Sequence, residues 1–300
     1  MSNWLVSLEG TPQGETMALV LALLAAVLHA SFGALQKGRY DPWVSRSAID
    51  LCMVFLAFPM LFLVPFPEPH MWVIFAGAVV IHFGYKLLLA MAYSRGAYTV
   101  VYPVVRGMGP FFTVIGAGLI FGESFSGTQW IGLIVLLSGI FGLAAYNFLY
   151  LTTDRATLAP ALGFAVATGF FVALYTTFDA YGIRATADPF TFLAWFFFLS
   201  AMDFPLMMAL TPMRARLRGV DLGRLLTRGA IGAVVAVGSF GSVMLATRLD
   251  DVGEAAVLRE TSAIFAALIG WLFLKETVGP RRLTLMGLIA AGAVIVEMGG

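Results

Sequence analysis

Residues 97–123 read AYTVVYPVVRGMGPFFTVIGAGLIFGE. The stretch is long and apolar enough to cross a bilayer, which takes about 20 residues. Yet it holds Arg106, with Pro103 before it and Pro110 after it. A proline inside a helix removes a backbone donor and frees the carbonyl four residues earlier, here those of Thr99 and Arg106. Freed carbonyls are tolerated in a membrane where the backbone lines a cavity or meets a neighbour. The arginine points the same way, because an ionisable side chain in a span costs about 2.5–3.5 kcal/mol on insertion scales. The stretch reads as a transmembrane helix with one polar, inward face.

The rest of the chain is of the same kind. Of its 300 residues 60% are hydrophobic and only 12% are charged, with a mean hydropathy of +0.91. Soluble domains carry about twice that charge, so the composition excludes a soluble enzyme or a nucleic-acid binder. The single cysteine, Cys52, excludes an intramolecular disulfide and a multi-cysteine metal site. The opening MSNWLVSLEGTPQGE has no basic region followed by an apolar core, so no signal peptide is expected.

Apolar periodicity and its breaks predict ten spans: 16–36, 47–66, 70–93, 97–121, 127–148, 158–183, 189–211, 229–249, 254–274 and 281–298. Connectors such as GRYDPW, VPFPEP, FGESFSG and KETVGPRR supply the punctuation. The alternating segments of about ten residues that a membrane barrel needs are missing. Of the 18 Lys and Arg residues, Lys86, Arg106 and Arg259 fall within spans. Thirteen belong to the odd-numbered connectors, and only Arg184 and Arg248, the latter at the end of the eighth span, lie on the other side. Positively charged connectors stay cytoplasmic, so both termini are expected on the non-cytoplasmic face of a bacterial-type inner membrane.

The two halves echo each other, which divides the chain into 1–152 and 153–300. Asp41-Pro42-Trp43 recurs as Asp188-Pro189-Phe190, 147 positions on, and Pro59 recurs as Pro205. A shift of 153 brings Arg106 onto Arg259, Arg95 onto Arg248 and Gly122-Glu123 onto Lys275-Glu276. Five spans per half is an odd number, so the halves must be inverted relative to each other. The expected fold is all-α integral membrane, ten helices as two inverted five-helix repeats, with a site at their interface near the midplane.

Three segments carry a family resemblance: LHASFGALQK in the first span, the 97–123 segment quoted above, and AIFAALIGWLFLKE in the ninth. Together they resemble the drug/metabolite transporter superfamily, EamA type, over nearly the whole chain. Within it, the aromatic and polar residues of spans three and four look like those of YddG-type amino-acid exporters. HASFGALQK with YPVVRG also looks like a branch associated with phosphonate use. The resemblance implies a central cavity opened alternately to each side, and no fixed substrate.

The residues inside the spans nominate the lining. His82, Tyr85 and Lys86 share a face at i, i+3, i+4. Tyr102 and Arg106 share one a span later; Tyr175 and Asp179 share one on the sixth. Arg106 offers a planar fork suited to a carboxylate or phosphonate, or it is structural and pairs with Glu260. Arg259 and Glu260 are neighbours and point about 100° apart, so only one of them can face a given point. Two uncompensated cations together would be costly, so Asp179, Asp203, Glu260 or an anionic substrate should accompany the arginines. His29 and Trp195 read as packing and belt residues, and Asp50 as a partner of nearby basic side chains. Glycine-rich runs at 132–142 and 287–293 suit close helix packing, and with both halves in one chain a monomer is expected.

Cations, anions and aromatics in one lining suit a zwitterion with a variable side chain. The first reading is thus a secondary transporter exporting small polar metabolites, chiefly amino acids including aromatic ones. GxxxxGK[ST] is missing, so coupling to ATP and a nucleotide cofactor are not expected. Asp179, Glu260 and His82 are candidates for proton coupling. The second reading is a phosphonate or organic-anion carrier. A third, an intramembrane lipid-modifying enzyme, finds neither a metal-ligand spacing nor a nucleophile beside a base.

Overall fold

The computed structural model describes residues 3–36, 40–95, 98–151, 158–265, 268 and 279–300, without the side chains of 33–36, 98–100, 102, 147, 151, 158 and 282. The described residues are mostly helical, and no strand occurs among them. A short α1 (Asn3–Val6) precedes α2 (Pro12–Gln36). Then come α3 (Pro42–Ala57), which tightens into a 3₁₀ turn at Phe58–Phe62, α4 (Met71–Arg95), α5 (Tyr98–Phe121) and α6 (Gly127–Leu151). The second half runs α7 (Leu158–Ala185), α8 (Pro189–Ser200), α9 (Asp203–Leu210), α10 (Leu222–Leu249), α11 (Val252–Arg259) and α12 (Pro280–Met298).

Eight stretches, from Pro12–Phe32 to Leu222–Leu249, are long and apolar enough to span a membrane. They match the first eight expected spans, with differences that have local causes. The seventh is interrupted: α8 stops at Ser200 and α9 starts at Asp203. The eighth begins at Leu222, seven residues before the expected 229, because Asp221 caps it by accepting from the Arg224 amide. Arg224 and Arg228 therefore sit on its first turns rather than in a loop. In the tenth, the apolar part of α12 is the shorter Leu283–Met298. The ninth is described only at its start: α11 ends at Arg259, a turn occupies Glu260 and Thr261, and helix resumes at Ser262. Most of 266–278, with the repeat mate Lys275-Glu276, lies outside the described residues.

The repeat is visible in local chemistry. Asp41 Oδ1 accepts from the Trp43 amide at 2.8 Å and starts α3; Asp188 Oδ1 accepts from the Phe190 amide at 2.9 Å and starts α8. Each has proline at the first helical position, where the missing N–H costs nothing. Packing obeys the same exchange. Taking α2 with α7, α3 with α8–α9, α4 with α10, α5 with α11 and α6 with α12 as mates, the contact of α2 with α10 recurs as α7 with α4. Likewise α3 against α10 recurs as α8 against α4, and α5 against α7 as α11 against α2. The mates α6 and α12 pack on each other directly. A Cβ at Gly292 would lie 2.4 Å from the Leu136 amide nitrogen and 2.6 Å from the Gly132 carbonyl, so the backbones touch there. The two glycine-rich runs thus meet each other within one chain.

Helix α5 passes through Pro103 and Pro110 without interruption. Its fit against α7 is close: a Cβ at Gly109 would approach the Val172 side chain to 2.9 Å, and one at Gly169 would approach Met108 to 2.4 Å. Gly122, at φ +73°, ends the helix in a conformation open to glycine at little cost. Ser126 and Gln129 then start α6 by bonding each other's backbone amides at 2.9 and 3.2 Å.

Candidate functional site

Charged side chains inside the bundle fall into three groups. The first centres on Lys86, buried on α4. Its Nζ donates to Asp50 Oδ2 at 2.9 Å, to Asp203 Oδ1 at 2.9 Å and to the Ser200 carbonyl at 2.6 Å. Asp50 in turn pairs with Arg46 at 2.9 Å. The interruption between α8 and α9 is what presents both the Ser200 carbonyl and Asp203 to the ammonium. Two cations and two anions balance, and all three donors of Lys86 are used. Lys86, expected on the lining, is instead the hub of a clasp joining α3, α4 and the α8–α9 break. Arg46, read from sequence as a loop cation, lies within α3 and belongs to this clasp.

The second group is His82 on α4 and Asp179 on α7, with Nε2 and Oδ2 2.7 Å apart and both residues buried. Aromatic rings hold the imidazole: Tyr175 lies 4.6 Å away between centroids, Phe196 4.9 Å, and Tyr85 completes the stack 4.9 Å from Tyr175. Asp179 Oδ1 has no hydrogen-bond partner among the described residues.

The third group joins the repeat mates. Arg106 Nε lies 2.8 Å from Glu260 Oε2. Its Nη1 is 3.2 Å from His29 Nε2, which accepts as a neutral ring nitrogen. Nη2 donates to Ser262 Oγ at 2.8 Å and to the carbonyl of Arg259 itself at 3.3 Å. The guanidinium of α5 therefore grips the broken end of α11 across the repeat axis. The turn at Glu260–Thr261 separates the neighbours as their spacing required: Glu260 goes to Arg106, and Arg259 goes elsewhere. Arg259 is 3% exposed and lines a small cavity with Tyr175, Thr176, Asp179, Phe240 and Thr247. Its Nε has no hydrogen-bond partner among the described residues.

Of the nine nominated residues, the structure gathers His82, Tyr85, Tyr175, Asp179, Arg106, Arg259 and Glu260 at the meeting of α4, α5, α7, α10 and α11. Lys86 belongs to the clasp. Tyr102 lies on α5, and its side chain falls outside the described residues. His29, Ser262, Asp50 and Asp203 are additional members. Sequence signals for them existed: His29 and Asp203 are polar groups deep in apolar runs, and Ser262 follows the Arg259-Glu260 pair. Among the described residues no three His, Cys, Asp or Glu side chains gather as metal ligands.

One end of the bundle is tied shut. Arg248 reaches Glu9 at 2.6 Å, the Thr186 carbonyl at 2.6 Å and the Ile183 carbonyl. Arg184 donates to the Thr247 and Asp250 carbonyls, each at 2.8 Å. Glu123, from the α5–α6 connector, accepts the Val252 and Gly253 amides at 2.9 and 3.0 Å and so caps α11 from the other half. The chain termini lie at this end too: Leu5 is buried there and the Gly299 carbonyl accepts from Ser126. Burial pushes the Glu123 carboxyl above its usual range, against the pull of the two amides and Arg184. Asp251 is raised by burial and by the charge of Asp250.

The sequence profile described as the EamA-like transporter family matches residues 16–145 and again 159–298. A search of curated proteins finds no match. Among solved structures, one crystal structure aligns with a TM-score of 0.75 over 94% of this chain and 97% of its own, at 15% identity. That likeness speaks for the fold.

Proposed function

The chain belongs to the EamA-like transporter family, and on that premise we propose that it is a secondary transporter exporting small polar metabolites. Amino acids, aromatic ones included, are the first substrates, moved by alternating access through the cavity between the repeats. The observation that carries this reading is the Arg259–Asp179 cavity of the second repeat: a buried donor on α11 and a buried acceptor on α7, neither atom with a hydrogen-bond partner among the described residues. The first repeat reaches both residues, His82 through the Asp179 carboxylate and Arg106 through the Arg259 carbonyl. Buried polar atoms are almost always bonded, and exceptions mark places where something else binds. The supporting lining is His82, Tyr85, Tyr102, Arg106, Tyr175 and Glu260. Lys86 enters as the clasp that keeps α3, α4 and α8–α9 together. The protein acts as a monomer in the inner membrane with its termini outside, and it is not an enzyme.

Efflux of labelled amino acids from proteoliposomes tests the reading. Amino-acid flux is expected. Flux of an aminophosphonate alone would favour the organic-anion reading. Maleimide labelling of a cysteine introduced at Ser2 tests the orientation; protection from the outside would reverse it.

A further inference from the structure

The two arginines that the repeat brings into correspondence carry unequal loads. Every nitrogen of Arg106 faces a partner: Glu260, His29, Ser262 and the Arg259 carbonyl. Its charge is met, and its bonds fix the point where α11 breaks. Arg259, at that break, meets no acceptor with its Nε among the described residues and is 3% exposed. On the same cavity Asp179 is 2% exposed, with one oxygen on His82 and the other without a hydrogen-bond partner among the described residues. A buried charge without a hydrogen-bonded partner is costly, so each of these atoms is poised for a group that relieves it.

We propose that Arg259 and Asp179 are the two poles of a zwitterion site, and that Arg106 is a positioning residue that aims Arg259 by holding the helix break. The carboxylate of the solute accepts from Arg259, and its ammonium donates to Asp179 Oδ1. Phe240, Val243 and Met244 complete the wall and suit an apolar side chain, so the ligand class is the α-amino acids with apolar or aromatic side chains. The free space admits about one water molecule, so the walls have drawn in and must part to admit a solute. Since α11 is broken beside Arg259 and α5 holds the break, a shift of α11 is the way to widen it.

The identity of the solute rests on the transporter reading, but binding is separable from flux. Calorimetric titration of the purified full-length protein would compare L-phenylalanine with its methyl ester, which lacks the anion, and with 3-phenylpropionate, which lacks the ammonium. L-Phenylalanine is expected to bind about tenfold or more tightly than either, the value of one charge-assisted hydrogen bond. Arg259→Gln should make L-phenylalanine and its ester equal. Asp179→Asn should make L-phenylalanine and 3-phenylpropionate equal. If Arg259→Gln does not fold, Arg259→Lys should shrink the carboxylate preference while keeping its sign. Arg106→Gln should weaken all three ligands by a common factor, and Arg106→Lys should restore them. Equal binding of the three ligands to the native protein, no binding by phenylalanine, leucine or methionine, or loss of carboxylate preference in Arg106→Gln rather than in Arg259→Gln would overturn the assignment. An Arg106→Gln that loses stability but keeps affinity would remove its positioning role. The discrimination pattern without flux leaves the site standing and removes the transporter reading; flux without the pattern does the reverse.

Discussion

Lys86 illustrates how one buried charge organises several helices. Its ammonium meets two carboxylates and a carbonyl released by a helix break, with Arg46 closing the circuit through Asp50. Removing one member of such a set strands the others, which costs about 3–5 kcal/mol for a buried pair. Lys86→Met is therefore expected to lower the unfolding temperature in detergent sharply. Lys86→Met combined with Asp50→Asn and Asp203→Asn should regain much of the loss, because no lone charge remains. If the triple variant melts no higher than the single one, the clasp is not electrostatic. At this scale the sequence was only partly legible. That Lys86 is buried and polar-facing follows from its spacing to His82. That its partners come from α3 and from an interrupted α8–α9 does not, because Ser200 contributes a carbonyl, which every residue has. Arg106 and Arg259 were recognisable as a pair through their separation of 153. Which of them is fully bonded depended on the turn at Glu260–Thr261, and no glycine or proline marks that turn.

Among the elements, the repeat organises both the caps and the contacts. The Asp-Pro pairs at 41–42 and 188–189 were readable because a cap needs only neighbouring residues. The 8–9 interruption was less so: Asp203 and Pro205 hinted at it, but a run as apolar as 189–211 reads as one helix. Glycines give the sharpest predictions here. A Cβ at Gly292 meets backbone atoms of α6 at 2.4 and 2.6 Å, and backbone cannot step aside. Gly292→Ala is expected to force α6 and α12 apart and to cost about 1–3 kcal/mol or more, as overpacking does. Gly287→Ala, on the same helix with nothing within 4 Å, should be neutral or slightly stabilising. Thermal unfolding with size-exclusion profiles would compare them. Equal melting of the two variants would refute the close approach.

For the whole molecule, the closed end sets a pH response. Glu123 and Asp251 hold their protons more tightly folded than their ordinary values of 4.5 and 3.8 imply. Between those values and the raised ones, the folded state binds more protons than the unfolded state. Stability therefore falls as pH rises through that window and grows as pH falls through it. The unfolding temperature should rise on mild acidification, and the rise should be smaller in Glu123→Gln with Asp251→Asn. An unchanged rise in the double variant would place the titrating groups elsewhere. The architecture as a whole was the most legible part, since hydropathy reports spans directly and a near-constant offset reports the repeat. The tying of this end was not, because Arg184 and Arg248 read as two stray cations until the chain brings Glu9 and Glu123 to them.

The union of α6 with α12 also has a consequence for how the chain is made. Helix α6 is complete at Leu151, but its glycine face has no mate until Pro280–Met298 has been synthesised. Nearly half the protein must enter the bilayer while that face waits. During the interval the face is open to lipid or to another nascent copy, whose own α6 presents the same glycines. Correct assembly is thus decided by the last helix to arrive. A chain ended before Pro280 is expected to insert yet be cleared by quality-control proteases, and supplying α12 as a separate peptide should rescue it.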